Sequence, residues 1–152
     1  MPKTARSGQA KQSELPSTLR HSDRKAQRTF AKAHDSAVKE YGEGRRAHQV
    51  AYAALKRGYE KVGDHWEPKE RKVPSDARAA GGRKARRKTA GGVNANASKQ
   101  HLLETARRLD IRGRSSTTKD RLVAAIRRTN DRRTASSRKA RARVRLRSGG
   151  MP

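Results

Sequence analysis

The chain has 152 residues, 40 of them Lys or Arg against 14 Asp or Glu, for a formal net charge of +26, and only 31% are hydrophobic. That balance excludes a single core running the whole length, because the chain repels itself and has little apolar surface to bury. With no cysteine, disulfides and thiolate metal sites are excluded, and no run approaches the ~18 apolar residues of a membrane span.

Excess positive charge points to a polyanion partner, because neutralising phosphates releases condensed counterions. An anionic membrane surface and simple solubility are the alternatives. The basic runs lack the apolar face of an interfacial helix, which favours nucleic acid. The polar, basic start has no apolar stretch behind it and does not read as a secretory signal, so the expected location is cytoplasmic and nucleoid-associated.

In chain order, residues 1–12 are expected to be a disordered basic N-terminus. Residues 13–70 carry 12 basic and 9 acidic side chains and all five aromatics, which marks the first folded module. Its first helix is predicted from Ala26, Phe30, Ala33 and Ala37, extended by Val38 and Tyr41 and stopped by Gly42 and Gly44. A second helix follows on Ala47, Val50, Ala51, Ala54 and Leu55, with Tyr59 one turn on. Leu15 and Leu19, on either side of Pro16, are expected to pack onto the pair. Val62 to Trp66 reads as a turn and a short extended piece.

Residues 71–97 read as a basic disordered linker, from Pro68, Pro74, the pairs Gly81-Gly82 and Gly91-Gly92, and Asn94 to Ala97. Its polycation Arg83-Lys84-Ala85-Arg86-Arg87-Lys88 is either a solvated spacer or a phosphate-tracking arm, and the arm is preferred. Residues 98–133 form a second module. Ser98 is a candidate N-cap, Leu102, Leu103, Ala106 and Leu109 line one face, and Asp110 to Gly113 close the helix. Thr117-x-x-Asp120 resembles a capping box before a helix that buries Leu122, Val123 and Ile126. Residues 134–152 are expected to be an Arg-rich disordered tail. The class is mainly α, with minor β possible in the first module.

The first module resembles the ChaB family. The resemblance is carried by Glu14-Leu15-Pro16-Ser17 with Arg20, by Ala26-Gln27 leading to Phe30, and by Asp35-Ser36-Ala37 with Tyr41. Above all it rests on the run from Ala47 to Lys56, followed by Tyr59, Lys61 and Trp66. Tyr52 stands where that family usually has tryptophan, and Asp35 where it has asparagine. The resemblance implies a small helical fold with minor β structure. It also implies a role named as regulation of cation transport, a label that supplies no chemistry.

The second module resembles the N-terminal helical domain of transcription terminator Rho, which is close to the SAP motif. Here Ala106-Arg107-x-Leu109-x-Ile111-x-Gly113 and Lys119-x-x-Leu122 carry the likeness. That resemblance implies nucleic-acid contact without choosing the polymer; as a partner, DNA is preferred to RNA. The combination of the two modules is one associated with bacteria, actinobacteria in particular, and their phages.

The candidate phosphate-binding corner is Arg112, Arg114 and Lys119, with the hydroxyls of Ser115, Ser116, Thr117 and Thr118 and the amides of the second helix's N-terminus. Arg107, Arg108, Arg127 and Arg128 form a supporting face. Arg83, Lys84, Arg86, Arg87, Lys88, Arg141, Arg143, Arg145 and Arg147 are expected to add affinity without base specificity. The five histidines show no metal spacing such as His-x-x-x-His, and His48 reads as a packing residue. No catalytic constellation stands out, so neither an enzyme nor a cofactor is expected. The leading function is a DNA-associated regulatory or nucleoid protein. The alternatives are RNA binding, or a ChaB-type cation transport regulator acting through a protein partner.

Overall fold

The computed structural model describes residues 2–70 and 90–149, and the architecture is mainly α with one small antiparallel hairpin. The short helix α1 (Ser17–Arg20) leads into α2 (Arg24–Tyr41) and α3 (Arg45–Gly58). The Asp23 carboxylate caps α2 by accepting from the Ala26 amide at 2.7 Å. Gly42 ends α2 at φ +80°, a conformation that glycine adopts at little cost. Small residues at Ala26, Ala31, Ala37, Ala47 and Ala51 let α2 and α3 pack closely, with Phe30, Leu19 and Leu55 fully enclosed. Burying each of these three side chains is worth about 1.5–3 kcal/mol. Leu15 and Leu19 seal the pair, as their positions around Pro16 predict.

The stretch before the first module is an ordered arm rather than the disordered N-terminus expected. The Lys3 and Thr4 amides donate to the two Asp35 carboxylate oxygens at 2.7 and 2.9 Å, and the Lys3 ammonium donates to the Glu14 carbonyl at 2.9 Å. Asp35 therefore anchors this arm.

Strands β1 (Tyr59–Val62) and β2 (His65–Pro68) pair in register Val62↔His65 around a two-residue Gly63-Asp64 turn. Tyr59, expected to continue α3, starts the strand instead. The hairpin straddles two cores. Tyr59 and Trp66 close the first, while Val62 enters a second built from Val93, Leu102, Ala106, Leu109, Leu122 and Ile126.

That second core belongs to α4 (Lys99–Arg108) and α5 (Lys119–Ser148). Ser98 caps α4 as predicted, accepting from the His101 amide at 3.2 Å. The cap of α5 is Thr118, one residue later than the spacing suggests, and Thr117 instead donates to the Gly113 carbonyl at 2.7 Å. Two further departures concern the regions read as disordered. Residues 90–97 are packed, with Val93 buried and the Lys61 amide donating to the Gly92 carbonyl at 2.9 Å. Residues 134–148 continue α5 as helix.

Asn130, fully buried on α5, joins the modules. Its side-chain oxygen accepts from the Gly63 amide at 2.7 Å and its amide donates to the Lys61 carbonyl at 2.9 Å. Ser137 donates to Asp64 at 2.6 Å, and Arg138 donates to the Ser17 hydroxyl at 2.9 Å.

Candidate polyanion-binding surface

The helix α4 ends on Asp110 at φ +56°, and the Ile111 amide returns to the Ala106 carbonyl at 3.0 Å. This turn throws residues 111–117 across the side of α5. Between them lies a cleft of about 570 Å³. It is lined by Leu109, Ile111, Leu122, Ala124 and Ala125 together with Thr117 and Thr129, and Leu109 and Leu122 are almost wholly covered. Its rim carries Arg112 and Arg114 from the turn and Arg121, Arg128 and Arg132 from α5, opposed by the single carboxylate Asp110. Spacings of 7 and 11 residues from Arg121 put the three α5 arginines on one helical face. Arg114 is held there by donating to the Ile111 carbonyl at 3.0 Å.

The structure brings together only some of the residues proposed from sequence. Arg112, Arg114 and Arg128 share the cleft. Arg121 and Arg132 also line it and were missed, although their spacing from Arg128 carried the signal. Lys119, Ser115 and Ser116 lie outside the lining, with Ser116 turned onto the Gly113 carbonyl at 3.4 Å. Thr118 is spent on capping α5, so the predicted hydroxyl-and-amide corner at that helix start is already partly satisfied from within.

Arg107 is exposed on α4, away from the cleft. Arg108 is committed internally. It donates twice to Glu67, at 2.8 and 2.5 Å, and this pairing holds the Glu67 carboxyl down to about 2. The same carboxylate raises the Arg108 guanidinium further above its ordinary value. Arg127 lies over Gly91 rather than beside Arg128. Arg83, Lys84, Arg86, Arg87 and Lys88 fall outside the described residues.

Arg141, Arg143, Arg145 and Arg147 are exposed on the last turns of α5. Their two-residue alternation, which imitates a strand, divides them between opposite sides of a helix. Arg143 follows Arg132 by 11 residues, so the face of Arg121, Arg128 and Arg132 continues outward through Lys139 and Arg143. From Arg121 to Arg143 it runs about 33 Å at ~1.5 Å per residue. The last turns also expose Val144 and Leu146, at 64% and 77%.

In the first module, His48 packs against Phe30 and edge-on to His34, with ring centroids 6.3 and 4.7 Å apart. Burial, with the charge of His34 second, pushes its pKa down, in keeping with a packing histidine. The aromatic set is likewise structural, with the Trp66 indole donating to Thr18 at 3.2 Å. Among the described residues no group of three or more His, Cys, Asp or Glu is placed to hold a metal ion, and no helix is long and apolar enough to cross a membrane.

A mainly helical unit with one hairpin, its own core running from Leu15 to Trp66, is the class of module that residues 15–69 define. Those residues match the family model described as ChaB. The match begins at Leu15 and takes in α1, α2, α3 and the hairpin, about a third of the chain. No curated protein and no solved structure matches. The Rho-like resemblance of residues 98–128 gains no support from these comparisons.

Proposed function

We propose that this chain is a non-enzymatic regulator of the ChaB type that acts by contacting a protein partner through its first module. The observation that supports this reading is the family match over residues 15–69, because it covers a complete core rather than a fragment of one. Regulation of cation transport is the role that the family name attaches to such a partner. A photo-crosslinker placed in the full chain at the exposed Gln49 or Ala53 of α3 should capture a discrete protein adduct, and loss of the chain should alter cellular cation retention. Protein adducts arising only from positions on α5 would overturn the reading.

A second reading, binding of nucleic acid with DNA before RNA, is favoured by a different observation. The arginine face of α5 and the cleft beside it concentrate cations on one side of a chain with net charge +26. The family match does not bear on it. If ~6–8 phosphates are engaged, the log–log dependence of affinity on salt should have a slope of about −5 to −7. Binding that is insensitive to salt, or absent, would remove this reading while leaving the first intact.

A further inference from the structure

We infer that the cleft between the α4–α5 turn and α5 receives one unpaired nucleotide of a single-stranded nucleic acid, its base on the apolar floor and its phosphate on the arginine rim. The inference rests on the nucleic-acid reading and sharpens it, because phosphate neutralisation alone does not distinguish single strands from duplexes.

The shape carries the argument. A cavity of about 570 Å³ falls in the size range of small-ligand clefts, ~300–1,000 Å³. A duplex keeps its bases stacked inside and can offer the cleft only a phosphate. An unpaired nucleotide can offer both halves of its chemistry. Ile111, with Ala124 and Ala125 keeping the α5 side low, offers an apolar surface that phosphate has no use for, above the buried Leu109 and Leu122. Guanidinium groups suit the rim because one side of their chemistry is bidentate to phosphate oxygens and the other is a flat surface on which a base stacks. Asp110 is the one rim group that opposes an anion. It also occupies the left-handed position that ends α4, so the turn that builds the cleft places a carboxylate at its edge.

The same α5 face runs out of the cleft toward Lys139 and Arg143, which gives the flanking phosphates of a strand a track to follow. A free mononucleotide would fill the cleft without using that track. The chemistry therefore favours a strand over a free nucleotide.

Fluorescence anisotropy with the full chain tests this against four probes. They are a labelled twelve-nucleotide single-stranded oligodeoxyadenylate, its duplex with oligothymidylate, adenosine monophosphate as competitor, and inorganic polyphosphate as competitor. The wild type should prefer the single strand to the duplex. Ala124→Leu with Ala125→Leu fills the floor without changing charge. It should weaken single-strand binding by about tenfold and leave duplex binding unchanged. Asp110→Asn, exposed and outside both cores, should strengthen single-strand binding by about two- to threefold through removal of one opposing charge. Adenosine monophosphate should compete only weakly, and polyphosphate should displace both nucleic acids alike. Equal affinity for single strand and duplex, or a filled floor that leaves the single strand unaffected, would overturn the cleft assignment while nucleic-acid binding stood. Strong competition by adenosine monophosphate would replace the strand with a free nucleotide. Failure of the wild type to bind any nucleic acid would overturn both.

Discussion

Asn130 shows how one side chain can hold two modules together. It satisfies the Gly63 amide and the Lys61 carbonyl at once, in a place sealed from water. Asn130→Ala would strand both backbone groups, so the expected loss is about 2–4 kcal/mol, measured by urea unfolding followed at Trp66. Gly92 is as exacting, for steric reasons. A Cβ there would stand 2.6 Å from the Trp66 ring, at φ +93°, so no other residue fits without displacing the indole. Nothing about either residue announces this in the chain. Asn130 sits among arginines on a helix and reads as surface, and Gly91-Gly92 reads as linker punctuation. Both are decided by what approaches from more than 25 residues away. Three acidic side chains, Glu67 and Asp64 of the hairpin and Asp35 of α2, also set a pH limit. Glu67 is held near 2, and Asp64 and Asp35 lie below the usual range, because hydrogen bonds to their ionised forms outweigh the burial that pushes both aspartates up. Folded values below the unfolded ones favour the fold above pH ~4.5, and that contribution is lost as pH falls toward 2. Acid titration of Trp66 fluorescence should therefore show loss of structure in this window, and Glu67→Gln should shrink the acid-dependent part.

At the scale of elements, the helical stripes of α2 and α3, the seal by Leu15 and Leu19, and the cap at Ser98 follow directly from local spacing. The end of α5 does not. Residues 134–148 have no apolar face to bury, and alternating arginines mislead any search for a period. What favours helix there is the high intrinsic propensity of Arg, Lys and Ala, continued from a helix that the second core already nucleates. Working against it, Arg141 with Arg145 and Arg143 with Arg147 stand one turn apart and repel, at about 0.2–0.5 kcal/mol per pair. Salt or a polyanion relieves that repulsion, so circular dichroism at 222 nm should deepen on adding either. Ala142→Pro removes a backbone donor from the exposed last turns and costs them ~3 kcal/mol. It should abolish the added helical signal while shifting the unfolding midpoint of the body by less than about 0.5 kcal/mol. A large loss of global stability in this variant would mean that the last turns pack on something.

For the molecule as a whole, two modules that the sequence separates by a basic linker are docked through the hairpin. Val62 lies in the second core, Glu60 meets His101 at 2.7 Å, Glu67 clasps Arg108, and Asn130 grips the turn. The covalent stretch between Glu70 and Ala90 therefore joins two surfaces that already recognise each other. This makes the protein divisible. Residues 1–79 and 80–152, produced as separate polypeptides in one cell, should find each other and copurify, with Trp66 recovering its full burial when the second piece brings Gly92 against the ring. Asn130→Ala in the second piece should abolish that recovery. Two pieces that elute apart at micromolar concentration would mean that the hairpin seam is too weak to hold without its tether. The hairpin would then act as a complementation tag, a four-residue-strand plug that one half offers and the other half receives.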